Sequence, residues 1–196
     1  MAIIHDKLPL RQATSSQWLP TILEDFPAFL QDHALCEKKA AASAMAFVGR
    51  WPDREVLVEP MICLAKEEWQ HFHEVYRVLH KRGIPLGTND KDLYVGALLR
   101  HARHGPEEHF LDRLLLGGLI EARSCERFCL LAEGLADEDM KSFYTRLSRE
   151  EAGHHMIFLR IARHYFPEAQ VNARLDELLD KEAEAMMNSP LRPTVH

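Results

Sequence analysis

Two stretches of this sequence set a carboxylate and an imidazole three residues apart within a helical pattern: Glu68-Trp69-Gln70-His71 and Glu151-Ala152-Gly153-His154. At that spacing the two side chains of each pair share one helix face. The face of Glu151 also carries Tyr144, Leu147, Ser148, His155 and Phe158, and that of Glu68 carries Met61, Leu64, Ala65, Phe72, Val75 and Leu79. Both carboxylates therefore point toward a core. An ionised carboxylate there is costly unless something positive meets it, and no Lys or Arg stands at the neighbouring inward positions. A metal ion would satisfy carboxylate and imidazole together.

With 19 Glu and 12 His in 196 residues, chance alone gives about one Glu-x-x-His. A further carboxylate ahead of each motif lifts the pair above chance. Glu37 precedes Glu68 by 31 residues, in step with Leu30, Ala34, Ala41, Met45 and Val48; Glu121 precedes Glu151 by 30, in step with Leu114, Gly117, Cys125 and Phe128. The unit Glu plus Glu-x-x-His thus occurs twice, displaced by 84 and 83 residues, which marks an internal repeat of a helical hairpin.

Four carboxylates and two neutral imidazoles balance the charge of two divalent ions. Hard oxygen donors with two nitrogens and no thiolate suit iron or manganese better than copper or zinc. Iron is the expected metal, because an accessible redox change is what activation of O₂ requires. The competing reading pairs the buried Glu and His with each other and needs no metal; six residues in matched order and interval argue against it. Glu67, Glu150, His73 and His155 flank the six ligands and are expected on other faces. Tyr76 and Tyr144 lie two turns from ligands, as packing residues or as electron relays.

The remaining composition sets the frame. At 46% hydrophobic and 28% charged residues, the chain suits one domain over 1–196 with a sizeable core. The N-terminus lacks the apolar run of a signal peptide and no stretch suits a membrane span, so the expected location is cytoplasmic. Cys36, Cys63, Cys125 and Cys129 form no Cys-x-x-Cys pair and are expected as small buried hydrophobes. A net charge of −6 argues against broad nonspecific nucleic-acid binding and leaves room for a local basic patch.

The elements that must position the six ligands are all helical. An irregular lead over 1–14 precedes a short helix to about Asp25, with Ser15-Ser16 as its cap and Pro20 inside it. Pro27 suits the first turn of a long helix to about Arg50. Asp53 is the expected cap of the next, to Arg82, with Pro60 predicting a kink or a late start and Gly83 the stop. A loop and a crossover helix over about 91–104 follow. Long helices over about 107–134 and from Asp137 to Tyr165 come next, then a last helix to Met187 and a loose tail over about 188–196. This describes an all-α, ferritin-like four-helix bundle with a crossover helix and additional terminal helices. In such bundles one Glu from each of two helices and Glu-x-x-His from each of the other two converge on a pair of metals.

The chain also resembles the bacterial tRNA-(methylthio-isopentenyladenosine) hydroxylases. The likeness is strongest in Asp32-His33-Ala34-Leu35-Cys36-Glu37-Lys38-Lys39-Ala40-Ala41, in Glu67-Glu68-Trp69-Gln70-His71-Phe72, in Glu121-Ala122-Arg123-Ser124-Cys125-Glu126-Arg127-Phe128 and in Glu150 to His155. The resemblance implies a non-haem di-iron monooxygenase acting through Glu37, Glu68, His71, Glu121, Glu151 and His154. It would use O₂ and two electrons to hydroxylate the isopentenyl group of the modified adenosine beside the tRNA anticodon. No flavin or nicotinamide fingerprint is present, so electrons are expected from a separate reductase. Lys81, Arg82, Arg100, Arg103, Arg160 and Arg163 are candidates for phosphate pairing with the anticodon stem-loop, or else solvated helix faces. Two other classes use the same ligand types: a ferritin-like ferroxidase that handles iron, and a di-iron oxygenase or peroxidase with another substrate.

Overall fold

The computed structural model describes residues 8–88 and 91–196. These hold α1 (Trp18–Glu24), α2 (Phe26–Arg50), α3 (Glu55–Lys81), α4 (Leu93–Leu99), α5 (Pro106–Gly134), α6 (Glu138–Tyr165) and α7 (Glu168–Asn188), with no strand among the described residues. The first part of the expected lead, and two residues of the loop before α4, lie outside the described residues. Two compact units divide the chain. One takes in the described residues to Leu19, Lys91–Pro190 and His196; the other runs from Pro20 through the α2–α3 hairpin and includes Leu191–Val195.

In the hairpin unit α2 packs along α3. The Asp25 carboxylate caps α2 by accepting from the Ala28 N–H at 3.1 Å, and Pro27 sits in the first turn, where its missing N–H costs nothing. The expected cap at Asp53 does not form. A backbone turn, Arg54 N–H to Trp51 C=O at 3.1 Å, makes Arg54 the residue before α3, without a side-chain cap. Pro60 lies inside α3, which starts at Glu55 and is continuous through it. Gly83 has φ +67°, a conformation that favours glycine, and its N–H bonds His80 C=O while that of Ile84 bonds Leu79 C=O. This pair of bonds is a Schellman motif that stops α3. Val195 is buried in this unit, its N–H donating to Asp32 at 2.7 Å.

In the other unit α5 packs along α6, and α7 covers α5. α5 is buried on nearly all sides, charged residues included. Arg123, 0% exposed, donates to Glu182 of α7 at 2.7 and 2.9 Å, to the Gln12 carbonyl at 2.7 Å and to Glu126. The Tyr94 hydroxyl of α4 donates to the same Glu182 oxygen at 2.8 Å, and burial together with that carboxylate pushes the phenol well above its ordinary pKa. His196 stacks on Tyr94 at 5.2 Å and lies 3.0 Å from Ser124 Oγ, so the tail expected to be loose ends in fixed contacts.

The crossover helix is shorter than the sequence pattern suggests. Asp92 caps it through the Val95 N–H at 2.8 Å, and it ends at Leu99 because Arg103 turns aside to meet Asp112. The buried Asp112 carboxylate accepts from the Arg103 N–H, Nε and Nη2 and from Arg174 Nε and Nη2, all within 3.0 Å. Burial alone would raise the Asp112 pKa, but these bonds outweigh it and hold the carboxyl below its ordinary value of 3.8. A depressed carboxylate contributes stability above that ordinary value and loses it as pH falls through the lower folded value. Urea midpoints measured stepwise below pH 5 should therefore fall in the wild type, and fall less steeply in Asp112→Asn.

Candidate metal centre

The helical period delivers each predicted ligand to an inward face. In the hairpin unit Glu37 comes from the middle of α2, and Glu68 and His71 from α3, with exposures of 4%, 1% and 3%. His71 Nδ1 lies 3.4 Å from Glu68 Oε2 and 3.8 Å from Glu37 Oε2. One donor atom from each of the three falls within 4.8 Å of the others. In the second unit Glu121 comes from α5, and Glu151 and His154 from α6, with exposures of 8%, 1% and 1%. His154 Nδ1 lies 3.3 Å from Glu151 Oε2, and one donor atom from each of this triad again falls within 4.8 Å of the others.

Each unit thus holds a dry triad of two carboxylates and one imidazole. Leu30, Ala34 and Ala41 beside Glu37, and Leu114, Leu147 and Phe158 around the other triad, are at most 5% exposed and keep water away. Ionising two carboxylates in such surroundings is costly without a cation, and the donor set fits one hard divalent ion per triad. Thiolate ligation is not on offer from Cys125. A contact with Cys129 and burial push its thiol far up, and Sγ–H donates to the Ser148 carbonyl at 3.0 Å. Cys36 and Cys63, expected to be buried, are half-exposed.

Sequence reasoning missed one residue beside the ligands. His33, one turn before Glu37 and 0% exposed, places Nε2 2.6 Å from Glu37 Oε1. The signal was present, since positions four apart share a helix face. The two halves differ here: the residue four before Glu121 is Gly117, where a Cβ would stand 2.7 Å from Phe158 Cε1. Partners of metal-ligating carboxylates typically change metal affinity by about 10–100-fold. Accordingly, His33→Leu should weaken metal retention by about that factor in chelator competition, with near-normal far-UV circular dichroism.

The flanking residues sort as follows. Glu67 and His73 are exposed, and Glu150 pairs with Arg146 at 2.9 Å. His155 departs from the expectation of a separate face. It is buried, its ring bonds the Gly118 carbonyl at 2.6 Å, and burial holds its pKa below the ordinary value against that bond. Tyr144 is fully buried against Phe128 and Phe143, whereas Tyr76 is 40% exposed. Of the phosphate candidates, Arg103 is committed to Asp112; Lys81, Arg82, Arg100, Arg160 and Arg163 are exposed.

All-helical architecture with these paired donor sets defines the ferritin-like di-iron class. A Synechococcus protein described as "Protein 43 with aldehyde deformylating oxygenase activity" superposes with a TM-score of 0.91 at 33% identity, covering 95% of this chain and 94% of its own. The chain belongs to the tRNA-(MS[2]IO[6]A)-hydroxylase (MiaE) family, whose model matches residues 2–196. It is 36% identical over 177 residues to the tRNA 2-(methylsulfanyl)-N(6)-isopentenyladenosine(37) hydroxylase of Pseudomonas putida, covering 90% of this chain and 85% of that protein. It is 28% identical to the Salmonella typhimurium protein of the same name, covering 84% of this chain and 78% of that one. No described helix is long and apolar enough to cross a membrane.

Proposed function

We propose that this chain works as one domain that hydroxylates the isopentenyl group of a methylthio-isopentenyladenosine in tRNA beside the anticodon. In this reading Glu37, Glu68, His71, Glu121, Glu151 and His154 hold two iron ions between them. The observation that carries it is the repeated dry triad of two carboxylates and one imidazole in a member of the MiaE family. Bound iron supplies the redox chemistry with O₂ that an unactivated allylic C–H bond demands. The chain's own part is to hold four carboxylates and two neutral imidazoles in place and to keep the surroundings apolar, so that an oxidant meets substrate before water. His33 holds one oxygen of Glu37, and Glu37 would be among the residues that hold the metal. The substrate base leaves its stack to reach a buried centre. Electrons come from an external reductase, and the setting is the cytoplasm, with its tRNA pool.

Mass spectrometry of nucleosides from tRNA incubated with reduced, iron-loaded protein and ¹⁸O₂ tests this. The expected product carries one ¹⁸O on the isopentenyl nucleoside. A second reading has a specific warrant in the activity named for the Synechococcus neighbour. It predicts O₂ consumption on an aldehyde and an unchanged nucleoside, an outcome that would replace the first reading.

A further inference from the structure

The outer face of α3 carries an aromatic ladder that the metal site does not use. Trp69 packs on Phe72 at 5.3 Å between ring centroids, Phe72 on Tyr76 at 6.4 Å, and Tyr76 on His80 at 6.2 Å. Trp69 is 57% and Tyr76 40% exposed, and half-buried Phe72 joins them at the edge of the inward face that holds the buried Glu68, His71, Val75 and Leu79. Alongside them stand the exposed cations Arg77, Lys81 and Arg82, with Arg82 also lying over Phe26 at 5.6 Å. Tyr76, Arg77, Val78, His80 and Lys81 line an open hollow of about 510 Å³.

Scattered exposed aromatics need no explanation, but a continuous row of rings beside a row of cations does. From Trp69 to Arg82 there are three permanent positive charges and one carboxylate, Glu74, which accepts from Gln70 at 3.0 Å. This local excess of positive charge stands in a chain of net charge −6. Exposed rings offer π-faces to unstacked bases of any sequence, and flanking Arg and Lys track a phosphate backbone. A lipid surface would call for aliphatic side chains in place of His73, His80 and a hydrogen-bonded Gln–Glu pair.

We infer that the α3 face of Trp69, Tyr76, His80, Arg77, Lys81 and Arg82 is a docking surface for single-stranded RNA at the anticodon loop. The inference rests on the substrate reading above and adds where the RNA sits. The ladder shares a helix with Glu68 and His71. From His71 to His80 the rise is nine residues at about 1.5 Å each, roughly 14 Å. Loop nucleotides stacked on this face therefore lie within a few base steps of the helix's own metal ligands.

The test is fluorescence anisotropy of a labelled anticodon stem-loop against iron-loaded wild type, Tyr76→Ala, the double variant Arg77→Gln/Lys81→Gln, and, as a cation control, Arg50→Gln at the other end of the α2–α3 hairpin. Iron content and circular dichroism are recorded for each. Tyr76→Ala should weaken binding about tenfold through loss of one stacking platform. The double variant should lower the slope of log affinity against log salt by about 2. Arg50→Gln should match the wild type. The docking surface is overturned if wild type binds and hydroxylates the RNA and both α3 variants bind it equally well. It is also overturned if those variants keep RNA affinity and lose only the reductase-driven rate, which would make the face a protein contact. RNA that neither binds nor reacts with wild type sinks the substrate reading itself, a distinguishable failure.

Discussion

Replacing Glu37 with alanine should reduce tRNA hydroxylation by about 10³-fold or more while leaving the helices formed. Glu37 is a 4%-exposed carboxylate with Oε2 facing His71 and Oε1 held by His33. Removing it subtracts one of the two negative charges of the hairpin triad and one donor that an iron ion would use. Loss of about 4 kcal/mol of transition-state stabilisation corresponds to that factor. The fold should tolerate the change better than the chemistry does, because the variant removes a buried charge instead of exposing apolar surface. Glu121→Ala is expected to behave the same way. Metal analysis, circular dichroism and turnover on one preparation separate the effects, and unimpaired turnover by metal-replete Glu37→Ala refutes its assignment as a ligand.

Arg123→Met should be the most destabilising single change outside the metal ligands, at about 3–5 kcal/mol. The guanidinium is fully buried and joins Glu182 of α7, Glu126 of α5 and the Gln12 carbonyl. Burial lowers the Arg123 pKa and the surrounding carboxylates raise it by more, so it stays charged. The methionine leaves two carboxylates facing an apolar neighbour, and removing one partner costs far more than removing both. For a chain of this size the melting temperature should drop by roughly 10 °C. The double variant Arg123→Met/Glu182→Leu should recover much of that loss. Urea unfolding of the four members of the cycle gives the coupling directly.

These two predictions differ in how far the sequence alone could supply them. The inward placement of Glu37, Glu68, His71, Glu121, Glu151 and His154 was legible because side chains on a helix that face the core must obey the same period as the apolar residues around them. The long helices were legible for the same reason, with Pro27, Gly83 and Gly134 marking ends. The Arg123–Glu182 pair was not. A single helix pattern cannot reveal that α7 covers the polar side of α5, where Arg123, Glu126 and Arg127 are all buried. The early end of α4 was hidden similarly, since it depends on Asp112, nine residues beyond Arg103. Met45, in step with Glu37 by period, is 48% exposed. It lies eight residues on, where a period of 3.6 has drifted off the inward line. His33 is within reach of the i, i+4 rule, which pairs it with Glu37, although it belongs to no Glu-x-x-His.

We propose that the triad of α2 and α3 and the triad of α5 and α6 hold two iron ions per chain. Mössbauer spectroscopy of ⁵⁷Fe-loaded, oxidised protein, with iron counted on the same sample, tests it most directly. Two irons per chain coupled to a diamagnetic ground state are the predicted result, with coupling lost in Glu37→Ala and in Glu121→Ala alike. Isolated paramagnetic ferric ions, or a single iron per chain unaffected by either substitution, would contradict it.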